Sequence, residues 1–153
     1  MDDQALAERM KVILATAYSF ALKAQNYHWN VTGPHFVEYH RFFRISQIFR
    51  EIYEQVHLDV DNYAEQIRIL GMFAPGSLSR FTELSRIIDE TSIPNAKGMI
   101  SKLDADNKVL IELLKSSYSA ADEAKNPGLA AFLEERIQHH EKLGWMLDSI
   151  LGN

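Results

Sequence analysis

Apolar side chains recur every three or four positions through most of this chain. Leu6, Met10, Ile13, Ala17, Phe20 and Ala24 form one stripe, the spacing of an amphipathic helix. It predicts a first helix from about Asp3 to Tyr27, capped by Asp2 or Asp3 and stopped at Thr32-Gly33-Pro34. A second helix is predicted from about Phe36 to Leu70, ending at Gly71. Ala74-Pro75-Gly76-Ser77 breaks the pattern, and a short amphipathic piece follows with Leu78, Phe81, Leu84, Ile87 and Ile88. A third long helix spans roughly Pro94 to Ala124 through Met99, Leu103, Val109, Leu110, Leu113 and Leu114. Asn126-Pro127-Gly128 ends it. The fourth runs from about Leu129 to Leu151 through Phe132, Leu133, Ile137, Leu143, Trp145, Met146 and Ile150. The second link is much longer than the other two. The expected fold is all-α, a four-helix bundle with a short helix in one long crossover between helices two and three.

The second helix carries two stripes that do not join. Phe36, Tyr39, His40 and Phe43 form the first, and Ile45, Phe49, Ile52, Val56, Tyr63, Ile67 and Leu70 the second. The step from Phe43 to Ile52 turns the helix by roughly 900°, which puts the two sets on opposite sides. Removing six residues, such as Arg44 to Phe49, nearly rejoins them. The repeated Phe-Arg at 43–44 and 49–50 marks the same frame. The pattern therefore points to a six-residue insertion in a helix built without it.

Composition narrows the function more than the fold. The 153 residues are enough for one domain with a sizeable core, here residues 1–153. A net charge of −5 opposes general nucleic-acid binding, since phosphate affinity comes mainly from Lys and Arg. Met1-Asp2-Asp3-Gln4 offers no basic segment before an apolar one, so no signal peptide is expected. No apolar run is long enough for a membrane span. Without cysteine the redox compartment is not written in the chain, and the cytoplasm is the default expectation.

The chemistry concentrates in Asn26-Tyr27-His28-Trp29-Asn30, then His40, then Asp61-x-x-x-Glu65. Imidazole with carboxylate suits an iron or zinc site with positions left for solvent-derived ligands, and the lack of thiolates excludes a structural zinc knot or an iron–sulfur cluster. The Gly33-Pro34 turn folds His40 back beside His28. Asp61 and Glu65, four apart, share one helical face. His40 and Asp61 are 21 residues apart, about 30 Å on a straight helix. The two halves meet only if two chains pack antiparallel about a twofold axis.

These residues, with Gly33-Pro34, Phe36, Ile52-Tyr53-Glu54, Asp61-x-x-Ala64-Glu65 and Ala74-Pro75-Gly76-Ser77-Leu78, resemble the Dps family over nearly the whole chain. These are the mini-ferritins called DNA-binding proteins from starved cells. The resemblance implies a ferritin-like four-helix bundle, a hollow homo-dodecamer, and ferroxidase sites at its twofold interfaces. It implies oxidation of Fe²⁺ by H₂O₂ or O₂, storage of a ferric mineral and protection from oxidative stress. His28 and His40 match the histidine ligands, and Asp61 and Glu65 the partner subunit's carboxylates, Glu65 being the strongest ligand. Such a site takes one or two irons, and zinc could substitute in a crystal. Trp29 is the aromatic neighbour, and Asp122 and Glu123 fall where the family places its threefold pores.

Two departures stand out. A further aspartate common in the family is replaced by Arg44, or by Arg50 once the insertion is removed. The insertion, if helical, lengthens the arm between the histidine and carboxylate halves by about 9 Å and turns it by roughly 120°. Either the six residues bulge out or the interface and site are rebuilt. Two further readings follow: a DNA-binding, nucleoid-protecting assembly, or a purely structural one whose ferroxidase centre the insertion impairs. The missing Lys-rich tail speaks against DNA.

Bland readings cover the remaining candidates. His57, one turn before Asp61, is expected at a surface or interface rather than as an auxiliary ligand, and His35 in a turn. Glu54-x-x-His57 is half of a di-iron motif whose second half the chain lacks. His139-His140-Glu141 reads as a packed or solvent-facing patch, since adjacent helical residues diverge by roughly 100°. Tyr27, Tyr39, Tyr53 and Tyr63 read as core or interface.

Overall fold

The computed structural model describes residues 3–34, 36 and 48–153, with side chains of the second long helix from Gln55 onward. Asp2, His35, Tyr39, His40, Phe43, Arg44 and the side chains of Arg50 and Tyr53 lie outside the described residues, and so does most of the insertion. Among the described residues the regular structure is entirely helical. The elements are α1 (Asp3–Asn30), α2 (Ile48–Ile69), α3 (Leu78–Leu84), α4 (Ala96–Glu123) and α5 (Pro127–Leu151).

Side-chain pairs between helices fix the topology. Asp59 pairs with Arg136 and Tyr63 packs on Phe132, so α2 runs antiparallel to α5. Lys108 reaches Asp148 and Lys115 reaches Glu141, so α4 is antiparallel to α5 as well. Lys23 pairs with Asp106 and Arg9 with Ser116, which sets α1 antiparallel to α4. It follows that α1 and α2 are antiparallel, whereas α2 and α4 are parallel. Two long helices that follow one another in the chain and run parallel need a connection as long as the bundle itself, and residues 70–95 supply it, with α3 inside. The expected all-α bundle with one long crossover is the observed fold.

The core follows the predicted stripes. Leu6, Met10, Ile13, Ala17, Phe20 and Ala24 are all buried, as are Val56, Tyr63, Ile67, Met99, Leu103, Leu110, Leu114, Leu133 and Leu143. Such apolar burial is the main stabilising term of the bundle, about 1.5–3 kcal/mol for each large side chain. The crossover is pinned onto α1. Phe81 stacks on Tyr18 with ring centroids 4.7 Å apart, and the Arg86 amide donates to Thr16 Oγ1 at 3.0 Å.

Several boundaries differ from expectation. α1 continues to Asn30, because nothing before Thr32 interrupts it. His28 and Trp29 are therefore inside its last turn. Gly33, with φ at 119°, makes the turn beyond, and the Phe36 amide donates to its carbonyl at 2.9 Å. α4 begins at Ala96, where Asn95 Oδ1 accepts from the Gly98 amide at 2.8 Å. Pro127 and Gly128 open α5 rather than only breaking the previous helix, because Asn126 caps Leu129 and proline suits a first turn. The short helix stops at Leu84, so Ile87 and Ile88 lie beyond it. Trp145, placed by its spacing in the apolar stripe, is 66% exposed.

Candidate metal site

α1 presents His28 half-buried in its last turn, with Trp29 beside it 66% exposed. Behind them this end of α1 is anchored to the crossover and to α4. Tyr27 Oη donates to Glu90 Oε1 at 2.6 Å, and Lys102 Nζ donates to the same oxygen at 2.9 Å. Ser92 supplies Oγ at 3.0 Å and its amide at 3.3 Å to the other oxygen. These donors, Tyr27 first and Lys102 next, hold the Glu90 carboxyl down at about 2, while burial and Glu90 push the Tyr27 phenol up. One turn earlier Lys23, only 6% exposed, donates to Asp106 Oδ2 at 2.6 Å. A cleft of about 320 Å³ lined by Leu22, Asn26, Trp29, Asn30 and Asp89 opens alongside. Sequence reasoning missed this anchor. Lys23 falls between Phe20 and Ala24 on the inward face of α1, and a buried lysine there requires a partner. The sequence does not say which.

α2 presents the acidic half. Asp61 and Glu65 are both exposed, one turn apart, and neither pairs with another described side chain. The stripe they share is bracketed by Leu58, 63% exposed, and Ile69, 74% exposed. His57 is exposed too, its ring 6.1 Å from that of Tyr18.

That last contact gives the separation of the two halves. Tyr18 and His57 are level across the antiparallel pair. His28 lies ten residues beyond Tyr18 toward one end of the bundle, and Asp61 four residues beyond His57 toward the other. The distance along the axis is about 21 Å, and about 27 Å to Glu65. One chain does not bring His28 to its own carboxylates. Among the described residues no three His, Asp or Glu side chains gather into a metal-binding group. Asp122 and Glu123 sit exposed in the last turn of α4.

On the inner side of α2 lies a polar layer that the sequence reading did not anticipate. Asp59 is buried against Arg136 of α5, with Gln55 Nε2 donating to the same oxygen at 3.2 Å. Burial raises the Asp59 carboxyl pKa against the pull of Arg136. Asn107 of α4 donates to the His140 carbonyl and accepts from His140 Nδ1, both at 2.8 Å. That leaves the proton of His140 on Nδ1 and its Nε2 buried with no hydrogen-bond partner. Burial lowers the His140 pKa to about 3. Of the two expectations for His139-His140, a packed or a solvent-facing patch, His140 is packed.

The ferritin-like domain family model matches residues 7–153. A low temperature-induced protein of Nostoc sp. is 34% identical over 140 residues, covering 90% of this chain and 75% of that protein. A DNA protection during starvation protein of Brevibacillus brevis is 31% identical over 130 residues, 85% of this chain and 83% of that one. In three dimensions the chain is similar to the crystal structure of the Dps protein of Vibrio cholerae O1, described as a member of a broad superfamily of ferritin-like diiron-carboxylate proteins. The TM-score is 0.89 at 28% identity, over 97% of this chain and 90% of that one.

Proposed function

Because the chain belongs to the ferritin-like family, and within it to the Dps mini-ferritins, we propose that it is a ferroxidase that oxidises Fe²⁺ at sites shared between two subunits. His28 and His40 bind the ion from one chain, and Asp61 and Glu65 from a twofold-related neighbour. With H₂O₂ as the oxidant, two Fe²⁺ each give up one electron, and H₂O₂ with two protons becomes two waters; O₂ is the alternative oxidant. The ferric product passes to a mineral held inside a closed shell, for which we propose the family's dodecamer. Asp122 and Glu123, if they ring its pores, attract cations by their local potential.

The observation that carries this reading is the outward stripe of α2. Two carboxylates stand ready to bind a cation between Leu58 and Ile69, yet the chain's own histidine is about 21 Å away. A solvent-facing acid pair framed by large apolar residues suits a surface that a second subunit covers. Ferrous titration followed by ferric absorbance, with and without peroxide, tests the activity. Oxidation faster than in buffer is expected, and oxidation no faster than in buffer would defeat it.

The Brevibacillus brevis relative is named for DNA protection. With a net charge of −5, this chain is better suited to protect DNA by removing iron and peroxide than by binding phosphate. A gel shift at physiological salt should leave DNA unretarded.

A further inference from the structure

The turns of α2 that carry Asp61 and Glu65 outward carry Asp59 and Tyr63 inward. Inside, the ion pair of Asp59 with Arg136 is nearly closed to water, the side chains being 1% and 11% exposed. Gln55 braces it one turn before. One turn after, Tyr63 meets Phe132 edge-on, with centroids 5.7 Å apart. Among the described residues of α2, the others buried in the core, Val56 and Ile67, are apolar.

Apolar contacts resist separation of two helices but only weakly resist sliding. A slip of one helical turn, about 5.4 Å, replaces one set of aliphatic contacts by another. The ion pair does not permit it, because both charges would then be buried alone. Net stability is a weak reason to keep such a pair, since apolar residues of similar size often do as well; specifying register is the better attested use.

We propose that Asp59 and Arg136 are a positioning pair. They fix the axial register of α2 on α5, and through the rigid turns of α2 they fix the height at which Asp61 and Glu65 meet the metal. Coordination bonds near 2 Å leave no room for a slip of a turn. Asp59 lies beyond the inserted residues, so the pair also keeps the acidic half-site in place whatever length precedes it. The proposal rests on the reading of Asp61 and Glu65 as ligands.

Zn²⁺, which is not oxidised, separates the pair's role from turnover. Binding is measured by calorimetry, alongside melting temperature and helix content, on the assembled protein. Asp59→Leu/Arg136→Met should keep the wild-type helix content and melting temperature but bind Zn²⁺ roughly 10- to 100-fold more weakly, the loss typical when a supporting partner of a ligand is removed. Should that variant not fold, Arg136→Gln and Arg136→Lys replace it. The lysine, which keeps the charge, should retain wild-type affinity, and the glutamine should lose it at equal helix content. Unchanged Zn²⁺ affinity in the apolar or glutamine variant overturns the proposal. So does an affinity loss that only tracks a loss of folded protein and that lysine fails to rescue. If the wild type itself takes up no Zn²⁺, the ligand assignment falls, and the pair's role with it.

Discussion

Asp59 and Asp61 stand two residues apart on α2, yet the two faces of that helix impose opposite conditions on them. Asp59 points inward, is buried, and is held by Arg136 and Gln55. Asp61 points outward, is exposed, and has no partner among the described side chains. A carboxylate that is already paired offers little to a cation, and a buried one is out of its reach. An exposed, unpaired one keeps its charge and lone pairs available at no cost to the fold. The inner face therefore holds the helix, and the outer face is left free to bind.

The largest effect expected from this contrast is on the outer face. Asp61→Ala/Glu65→Ala should weaken Zn²⁺ or Fe²⁺ binding by more than the roughly 100-fold upper range seen for outer-shell partners. The same variant should shift unfolding free energy by only about 0.5 kcal/mol, as surface changes usually do. Calorimetry and denaturant melts on one preparation measure both. A large loss of stability would mean that the outer face also supports the fold.

Next comes the inner face. Arg136→Met alone leaves the buried Asp59 charge uncompensated and should cost about 3–5 kcal/mol in a urea melt. If it costs nothing, Asp59 is not held as described.

A smaller effect is read from pH. His140 is buried neutral, with its pKa near 3, whereas the unfolded chain takes up that proton near 6.5. Below 6.5 the unfolded state binds more protons, so this group's contribution to stability should be complete above 6.5 and decline progressively down to about 3. His140→Gln should flatten the slope of melting temperature against pH in that window.

The smallest change concerns Tyr63, whose buried hydroxyl has no hydrogen-bond partner. Tyr63→Phe removes that polar atom and should be neutral or stabilising by up to about 1 kcal/mol. A loss of more than that would point to a polar contact on the hydroxyl that the layer conceals.

What the sequence disclosed and what it hid follow the same division. The apolar stripe of α1 and the breakers at Gly33-Pro34 and Asn126-Pro127-Gly128 are local signals, and they located α1, α4 and α5 to within a few residues. The outward motif around His28, Asp61 and Glu65 is also local, because its spacing alone places the carboxylates on one face. The inner layer is not. Asp59 sits on the stripe of Val56 and Tyr63, which announces a buried charge, but its partner is Arg136, 77 positions away. Tyr27 finds Glu90 across 63 positions, and Lys23 finds Asp106 across 83. Such pairings follow from the way the helices assemble, and no pattern within one helix encodes them. The helix ends were misplaced for a different reason. Asn95 and Asn126 act as caps through side chains whose role depends on the backbone around them, and His28 and Trp29 continue a helix that periodicity alone would have ended at Tyr27.

Subunit mixing tests the shared site most directly. His28→Ala supplies intact carboxylates, and Asp61→Ala/Glu65→Ala supplies intact histidines. Each variant assembled alone should be inactive in ferrous oxidation. Unfolded together in equal amounts and refolded, they should form mixed twofold pairs with one complete site each, giving about a quarter of wild-type activity. Activity that stays at the level of the separate variants would contradict a site built from two chains.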